Sequence, residues 1–547
     1  MDVSRRGLRR FGPWEFGLLA ILILGLVLRL RGIGSPLLDH PGWRQGDTGA
    51  IARNFATLEY NIFRPQADYN GPPPNYVELE LQIVPFLAAT LYKIFGVHEI
   101  FGRLISIGFS LATVAMLAQF GRWLFKSRAA GITAALLFAI YPGSFYYGRT
   151  FMPDTAMVFF LTAALYATTR YLVEQKASSW RGFGLAALLL ALALLAKPVA
   201  IVALVPVGVV MFARFGLRGT LLRPQHYVLF ASALVPLWLY DRSIAQVAEW
   251  HWASGITQLH VLPALQNAFS SPQAFREKLA DTWTVLQMLP GTMLGTTAWI
   301  LFIAALIVPA KSRSPGLQFG WLFGALAYAF VVVTVERVDY YLYLFLPLAA
   351  LRTGGSIAWL VARLPHASPL RSVATAVLVI LTIPFVISNR QLVTPYYRYS
   401  GGLFERAVGL DRTLDRNALV VMGHYDPSVL YYINRKGWEE DPLLWRPSDQ
   451  ASAIGKGARY YISIEHDRLK RNADLYEWLS GFPIVDPAAR WPVYETAYAK
   501  RLPGAEAHWR FRHGGTDRGQ GSGSSDPLAP AGASGVRPTV PVSTSLR

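Results

Sequence analysis

The chain has 547 residues, 53% of them hydrophobic and only 16% charged, with a formal net charge of +18 and no cysteine. A chain this long and this apolar has room for many membrane spans and is unlike an ordinary water-soluble protein. Its Lys and Arg lie in short clusters between apolar runs, where they set topology and meet anionic lipid, so nucleic-acid binding is set aside; the lack of Cys excludes disulfides, thiol catalysis, Cys-ligated zinc and iron–sulfur clusters.

Arg5, Arg6, Arg9 and Arg10 precede an apolar run, 14–31, that is long for a signal peptide and has no small-residue cleavage site, so it is read as a retained first span. Further runs near 100–124, 130–147, 155–173, 182–196, 198–213, 227–241, 282–309, 317–334, 340–362 and 370–388 bring the expected total to about eleven spans, some shorter than the ideal ~20 residues. The stretch 81–95 is apolar but short, holds Pro85 and carries Lys93, so it is expected to lie in the interface. With that assignment the clusters Arg5 to Arg10, Lys126 and Arg128, Lys176 and Arg181, Arg214 with Arg218 and Arg223, Lys311 and Arg313, and Arg363 and Arg371 all fall on one side, the cytoplasmic one. The opposite face then carries the first loop (32–99), the turns Gly148–Asp154, Lys197-Pro198 and Glu336–Asp339, a loop near 242–281, and everything after 389. Long loops without a fold of their own are usually functional.

After 389 the composition changes. ALVVMG, DPSVLYYINRKG, RYYISI and DRLKRNADLYEWLSG read as strand, helix, strand and helix, with Asp426 at a helix start. The expected organisation is a membrane part (1–388), a small extramembrane α/β domain (389–513) and a Gly-, Ser- and Pro-rich tail (514–547) expected to be disordered. His424 and Asp426 read as a helix cap beside a strand end. No P-loop, dinucleotide fingerprint or HExxH occurs, which argues against an ATP-driven pump, a nicotinamide enzyme or a zincin.

Ionisable groups gather in His40-Pro-Gly-Trp-Arg-Gln-Gly-Asp47. Interfacial carboxylates are costly unless paired or functional, which makes Asp47 a candidate; the alternative is a solvated Asp or a cap for a helix Thr48–Leu58. Asp154, in GRTFMPDTAMVFF at the start of a span on the same face, carries the same two readings. Glu78 and Glu80 follow the stiff run Pro72-Pro73-Pro74 and are either aimed inward or plain surface charge. A lipid phosphate needs cations at the boundary. The candidates are Arg44, Arg149, Lys197 and Arg337; Lys197 sits between LLALALLA and PVAIVALVPV, with snorkelling as its rival role, and Arg337 has Asp339 as a ready partner. Asp339, Tyr340 and Tyr147 are expected to line the same site.

The ordered set WRQGDT, LYKIFGVHEIFGRLIS, GRTFMPDTAMVFF, LLAKPVAIVAL and DYYLYLFLPLAAL, across roughly residues 10–390, resembles the membrane glycosyltransferases of the C-type fold. The likeness is to the bacterial branch that includes the lipid A aminoarabinose transferases and is related to the protein O-mannosyltransferases. The resemblance implies an inverting transfer of a sugar from a polyprenyl-phosphate donor to a hydroxyl of a glycolipid, glycan or protein, at the outer face of the bacterial cytoplasmic membrane. It implies Asp47 as base, Asp154 as the second acidic position and Lys197 on the donor phosphate. No cofactor is required; where relatives hold a divalent metal, Asp47 and Asp154 are the implied ligands. Thr48 stands where many relatives have Glu, Asn75-Tyr-Val-Glu78-Leu-Glu80 where the lipid A branch has Lys before Pro-Pro, and Asp339 where many have His before Tyr-Tyr. These departures set the chain apart from aminoarabinose transfer. The alternative functions are a lipid-linked sugar flippase, which predicts mid-span charges and two repeated halves that are not evident, and a non-catalytic scaffold of envelope assembly whose outer domain binds a partner.

Overall fold

The computed structural model describes residues 12–174, 180–364, 382–485 and 491–497. The expected last span (370–388) falls largely outside them, and the tail 514–547 entirely so. The chain begins with helix α1 (Pro13–Leu30); the first loop holds α2 (Gly42–Thr57) and α3 (Ile83–Phe95); α4 (Glu99–Leu124), α5 (Arg128–Ile140), α6 (Pro142–Tyr147), α7 (Asp154–Glu174) and α8 (Trp180–Ala196) follow. Among the described residues seven helices are long and apolar enough to cross a membrane: α1, α4, α7, Pro198–Leu222, Pro224–Ala245, Pro315–Glu336 and Asp339–Ala362. Four shorter apolar helices are α3, α5, α8 and Thr296–Ile307. The protein is a polytopic helical membrane protein, with large apolar side chains such as Ile23, Phe212, Trp238 and Ile307 exposed on its helices and a continuous apolar core between them.

Two expected spans are broken, for reasons visible in the backbone. Residues 130–147 divide at Pro142, which starts α6, because a proline has no amide to continue the preceding helix. Residues 282–309 divide into the end of Pro272–Leu286, a π-helical turn Leu289–Met293 containing Pro290 and Gly291, and Thr296–Ile307, with Gly295 at φ +81° in between.

The first loop is anchored by a buried carboxylate. Asp39 accepts from Gln45 Nε2 (2.7 Å) and Arg103 Nη2 (3.1 Å) and is ion-paired with Arg149, with Asp39, Arg103 and Arg149 all cut off from solvent. Helix α4 and the turn before α7 are thereby tied to the start of α2. This moves the helix start: α2 begins at Gly42, not Thr48, so Asp47 lies in its second turn and caps nothing.

Strand β1 (Val77–Glu78) pairs in parallel with β2 (Trp250–His251), joining the first loop to the later one. The C-terminal part forms β3 (Leu419–Met422), β4 (Gly437–Glu439), β5 (Ala458–Ile462) and β6 (Val493–Glu495) in the order β4-β3-β5-β6, with only β5–β6 antiparallel. The expected strand, helix, strand and helix are present; β4, β6 and the helix Pro447–Gly455 were additional to that reading. This part shares a core with the first loop, in which Ile51, Phe55, Ala67 and Val77 pack with Val420, Met422, Val429 and Ile433. Polar ties reinforce it: Lys436 reaches Asn54 Oδ1 (2.5 Å) and Asp68, Arg53 donates to the Tyr431 carbonyl (3.0 Å), and the Gly437 amide donates to the Asp68 carbonyl (3.0 Å).

The closest approach is at Gly46, where a Cβ would lie 2.3 Å from Ser428 Cα. Gly46→Ala is therefore expected to lift the C-terminal part off α2 at a cost of about 1–3 kcal/mol. Thermal melting and limited proteolysis after residue 400 check this against Gly108→Ala, whose Cβ meets nothing within 4 Å.

Candidate active site

Helix α2 places Arg44 and Asp47 three residues apart on one face. Arg44 Nη1 lies 3.1 Å from Asp47 Oδ2, and its Nη2 is paired with Glu80. All three side chains are less than a tenth exposed. Burial works against the Arg44 charge, but Glu80 and then Asp47 hold its pKa above the ordinary value, with Tyr340 and Asp154 close enough to add to the field. On its other oxygen Asp47 accepts from Tyr69 Oη (3.2 Å), and Tyr69 accepts from Trp252 Nε1 (3.0 Å). Burial pushes the Asp47 carboxyl up, Arg44 and the Tyr69 hydroxyl pull it down, Glu80 and Asp68 push it up again, and it comes to about 6. That value suits a general base near neutral pH.

A second pair stands beside the first. Asp154, first residue of α7, takes Lys197 Nζ at 2.7 Å on Oδ1 and has no partner on its buried Oδ2, so it makes no capping bond. Lys197 closes α8 and sits over the rings of Tyr341 (4.7 Å) and Tyr340 (5.3 Å), a buried cation–π arrangement rather than a snorkelling one. Main-chain bonds join the two pairs. The Leu81 amide donates to the Leu195 carbonyl (2.9 Å), and Tyr240 Oη donates to the Glu80 carbonyl (3.2 Å), so the segment carrying Glu80 runs against the turn carrying Lys197.

Of the expected site residues, Asp47, Arg44, Glu80, Asp154, Lys197 and Tyr340 are thus gathered together, and the others lie elsewhere. Glu78 accepts from Ser254 Oγ (2.6 Å) and lies 3.1 Å from His251 Nδ1, which stitches β1 to the later loop. Arg149 is taken up by Asp39 and the Gly32 carbonyl. Arg337, at φ +48°, pairs in the open with Asp281 at 3.0 Å, not with Asp339. Asp339 accepts from Tyr147 (2.5 Å), Tyr396 (2.6 Å) and Thr292 (2.9 Å), with His40 3.6 Å away, in a separate polar cluster. Asp426 caps the helix Pro427–Ile433 by accepting from the Ser428 amide (2.9 Å), and His424 lies 3.5 Å from Glu465. Tyr69, Trp252 and Tyr341 were missed because, in a chain this aromatic, nothing local separates them from interfacial tyrosines and tryptophans.

Asp47 and Asp154 each already hold a cationic side chain, and among the described residues no group of three or more His, Cys, Asp or Glu is placed to bind a metal.

A family model described as dolichyl-phosphate-mannose-protein mannosyltransferase matches residues 82–240. Among solved structures, ArnT from Cupriavidus metallidurans bound to undecaprenyl phosphate aligns with a TM-score of 0.57 at 13% identity, over 87% of this chain and 97% of that one. The oligosaccharyltransferase of Archaeoglobus fulgidus in its apo form aligns at 0.56 and 12% identity, over 89% and 75%. The archaeal oligosaccharyltransferase AglB from the same organism, with an inhibitory peptide and a dolichol-phosphate, aligns at 0.54 and 13%, over 89% and 74%. The chain has the C-type membrane glycosyltransferase fold. The resemblance read from the motifs is borne out at this level. Among curated proteins no sequence matches the chain.

Within this C-type fold the Asp154–Lys197 pair is a buried one, and removing one partner strands the other. Lys197→Met is expected to destabilise the protein by about 3–5 kcal/mol, and Asp154→Leu added to it to recover most of that loss. Thermal unfolding of the purified variants in detergent measures both.

Proposed function

We propose that this protein is an inverting glycosyltransferase that moves a sugar from a polyprenyl-phosphate donor to an acceptor hydroxyl at the outer face of the bacterial cytoplasmic membrane. The observation that carries this reading is the buried array in which a carboxyl tuned near neutrality, Asp47, shares Arg44 with Glu80 beside the Asp154–Lys197 pair. The fold supports it, being shared with a protein solved with undecaprenyl phosphate.

In this mechanism the acceptor oxygen attacks the anomeric carbon from the side opposite the phosphate. Its proton passes to Asp47, the bond from the anomeric carbon to the phosphate oxygen breaks, and the electron pair leaves on that oxygen. Protonation of Asp47 removes one of the two anions on Arg44, so the guanidinium charge becomes available to the departing phosphate as that charge develops. Lys197 supplies a second cation from the Asp154 side. A placed base of this kind contributes about 10²–10⁴ in rate, and each preorganised charge on the leaving group about 3–4 kcal/mol.

Incubation of the purified protein with a panel of polyprenyl-phosphate sugars is expected to release polyprenyl phosphate with one of them. Asp47→Asn keeps the size of the side chain and is expected to lose about 10²–10⁴ of that rate; transfer at the wild-type rate would overturn the assignment of the base.

The pH dependence follows from the raised Asp47 carboxyl at about 6. The base works deprotonated, so kcat/KM is expected to be flat above that point and to fall roughly tenfold per pH unit below it. The Tyr69 hydroxyl pulls the Asp47 carboxyl down, so Tyr69→Phe is expected to move this acid limb to higher pH. An unmoved limb in the pH profile of Tyr69→Phe would separate it from Asp47.

A further inference from the structure

Glu439, on the C-terminal sheet, has Asp47 and Tyr69 among its electrostatic neighbours. It ends β4, opposite Met422 at the end of the parallel strand β3. Carboxyl ends of parallel strands are where open α/β sheets bind ligands. Strand β4 is held to the first loop two residues earlier, where the Gly437 amide donates to the Asp68 carbonyl and its carbonyl accepts from the Gly71 amide (2.8 Å). These main-chain bonds lay the free edge of β4 along the loop that carries Tyr69. Tyr69 feels both Asp47 and Glu439.

The Glu439 side chain is half-buried, yet its Oε2 is shut from solvent and has no hydrogen-bond partner. A buried polar atom left unpaired is costly and calls for an explanation. Burial, followed by the charges of Asp47, Asp426, Glu440 and Asp68, pushes its carboxyl well above the usual range. Its protonated form, which this burial and the neighbouring carboxylates favour, donates a hydrogen bond as well as accepting one. In the loop after β3, Tyr425 is 64% exposed, with Glu439, Glu440 and Glu336 of the membrane helix Pro315–Glu336 among its charged neighbours. An exposed ring next to a carboxyl offers a stacking face and a hydroxyl-reading group together.

The direction of approach is set by the transferase reading, on which this inference rests. Arg44 holds one Asp47 oxygen and Tyr69 the other; with Arg44 and Lys197 on the departing phosphate, the acceptor enters from the Tyr69 side. We propose that Glu439 and Tyr425 form the acceptor subsite, the Glu439 carboxyl hydrogen-bonding a hydroxyl of an uncharged glycan whose ring lies on Tyr425. The acidic surroundings disfavour an acceptor carrying phosphate or carboxylate near the reacting hydroxyl.

The test uses the full-length protein, a polyprenyl-phosphate sugar that the wild type accepts, and two acceptor probes, a neutral octyl hexoside and its 6-phosphate. The neutral probe is expected to be used and the phosphorylated one to be at least ~10-fold poorer, since each such factor corresponds to about one lost hydrogen bond. Glu439→Leu and Tyr425→Ala are each expected to raise the acceptor KM about tenfold or more, with a much smaller change in donor KM. Glu439→Gln, which keeps the shape of the protonated acid, is expected to restore the acceptor KM at pH 7 to within about threefold. Raising the pH until Glu439 ionises is expected to raise the acceptor KM of the wild type and not of Glu439→Gln. An acceptor KM unmoved in Glu439→Leu, equal use of both probes, or a parallel loss in donor KM overturns the proposal while leaving the transferase reading intact. Absence of polyprenyl phosphate release from every donor overturns both. Thermal melting of each variant shows whether a KM change comes from misfolding, and Tyr425→Ala, on an exposed side chain, supplies the result if Glu439→Leu does not fold.

Discussion

One guanidinium held between two carboxylates is the constraint around which the first loop of this protein is arranged. Arg44 bridges Asp47 and Glu80 with all three groups nearly removed from water. Desolvating three charges is expensive, and only close geometry with further hydrogen bonds makes it tolerable. That requirement forces the segment carrying Glu80 against α2, and the same segment is bonded through Leu81 to the chain just before Lys197. A single ionic junction thus brings Asp47 and Lys197 into one site, although they lie 150 residues apart in the chain.

The two buried aspartates of the first loop illustrate how environment divides labour between identical side chains. Asp39 is held by two guanidiniums and an amide and ties α4 and the turn before α7 to the loop. Asp47 shares its one guanidinium with Glu80 and has a tyrosine on its other oxygen, and burial lifts its carboxyl to about 6. The first arrangement builds; the second leaves room for a proton to come and go. The Trp252–Tyr69–Asp47 chain of hydrogen bonds further links the base to the later loop, which β1 and β2 join to the first.

The C-terminal part is integrated with this site rather than appended to the membrane helices. It packs on α2 at Gly46, shares an apolar core with the first loop, and neutralises Asp68 with Lys436. Its composition change after residue 389 marks a different kind of structure and not a boundary in the packing. That distinction matters for function, because Asp426 and Ser428, just beyond β3, then lie against α2, the helix that carries Asp47.

The apolar runs and the change to strands and short helices after 389 were legible in the chain itself, and Asp47, Asp154 and Lys197, which the structure buries near one another, stood out there. Hydrophobic length and charge placement are local properties that a bilayer reads one segment at a time. Breaks at Pro142 and Pro290 were visible as residues but not as interruptions, because an apolar run conceals the point at which its backbone turns. Which partner each charge takes was beyond local pattern. Arg149 and Arg44 are both arginines near a carboxylate of the first loop, yet one is sealed onto Asp39 and the other shared with Asp47 and Glu80. Arg337 lies two residues from Asp339 in the chain and pairs instead with Asp281. The chain by itself determined a many-span membrane protein with acidic and basic groups on one face. Only the tertiary structure decided which of them meet, since ion pairing under burial depends on the three-dimensional approach of segments that sequence distance does not encode.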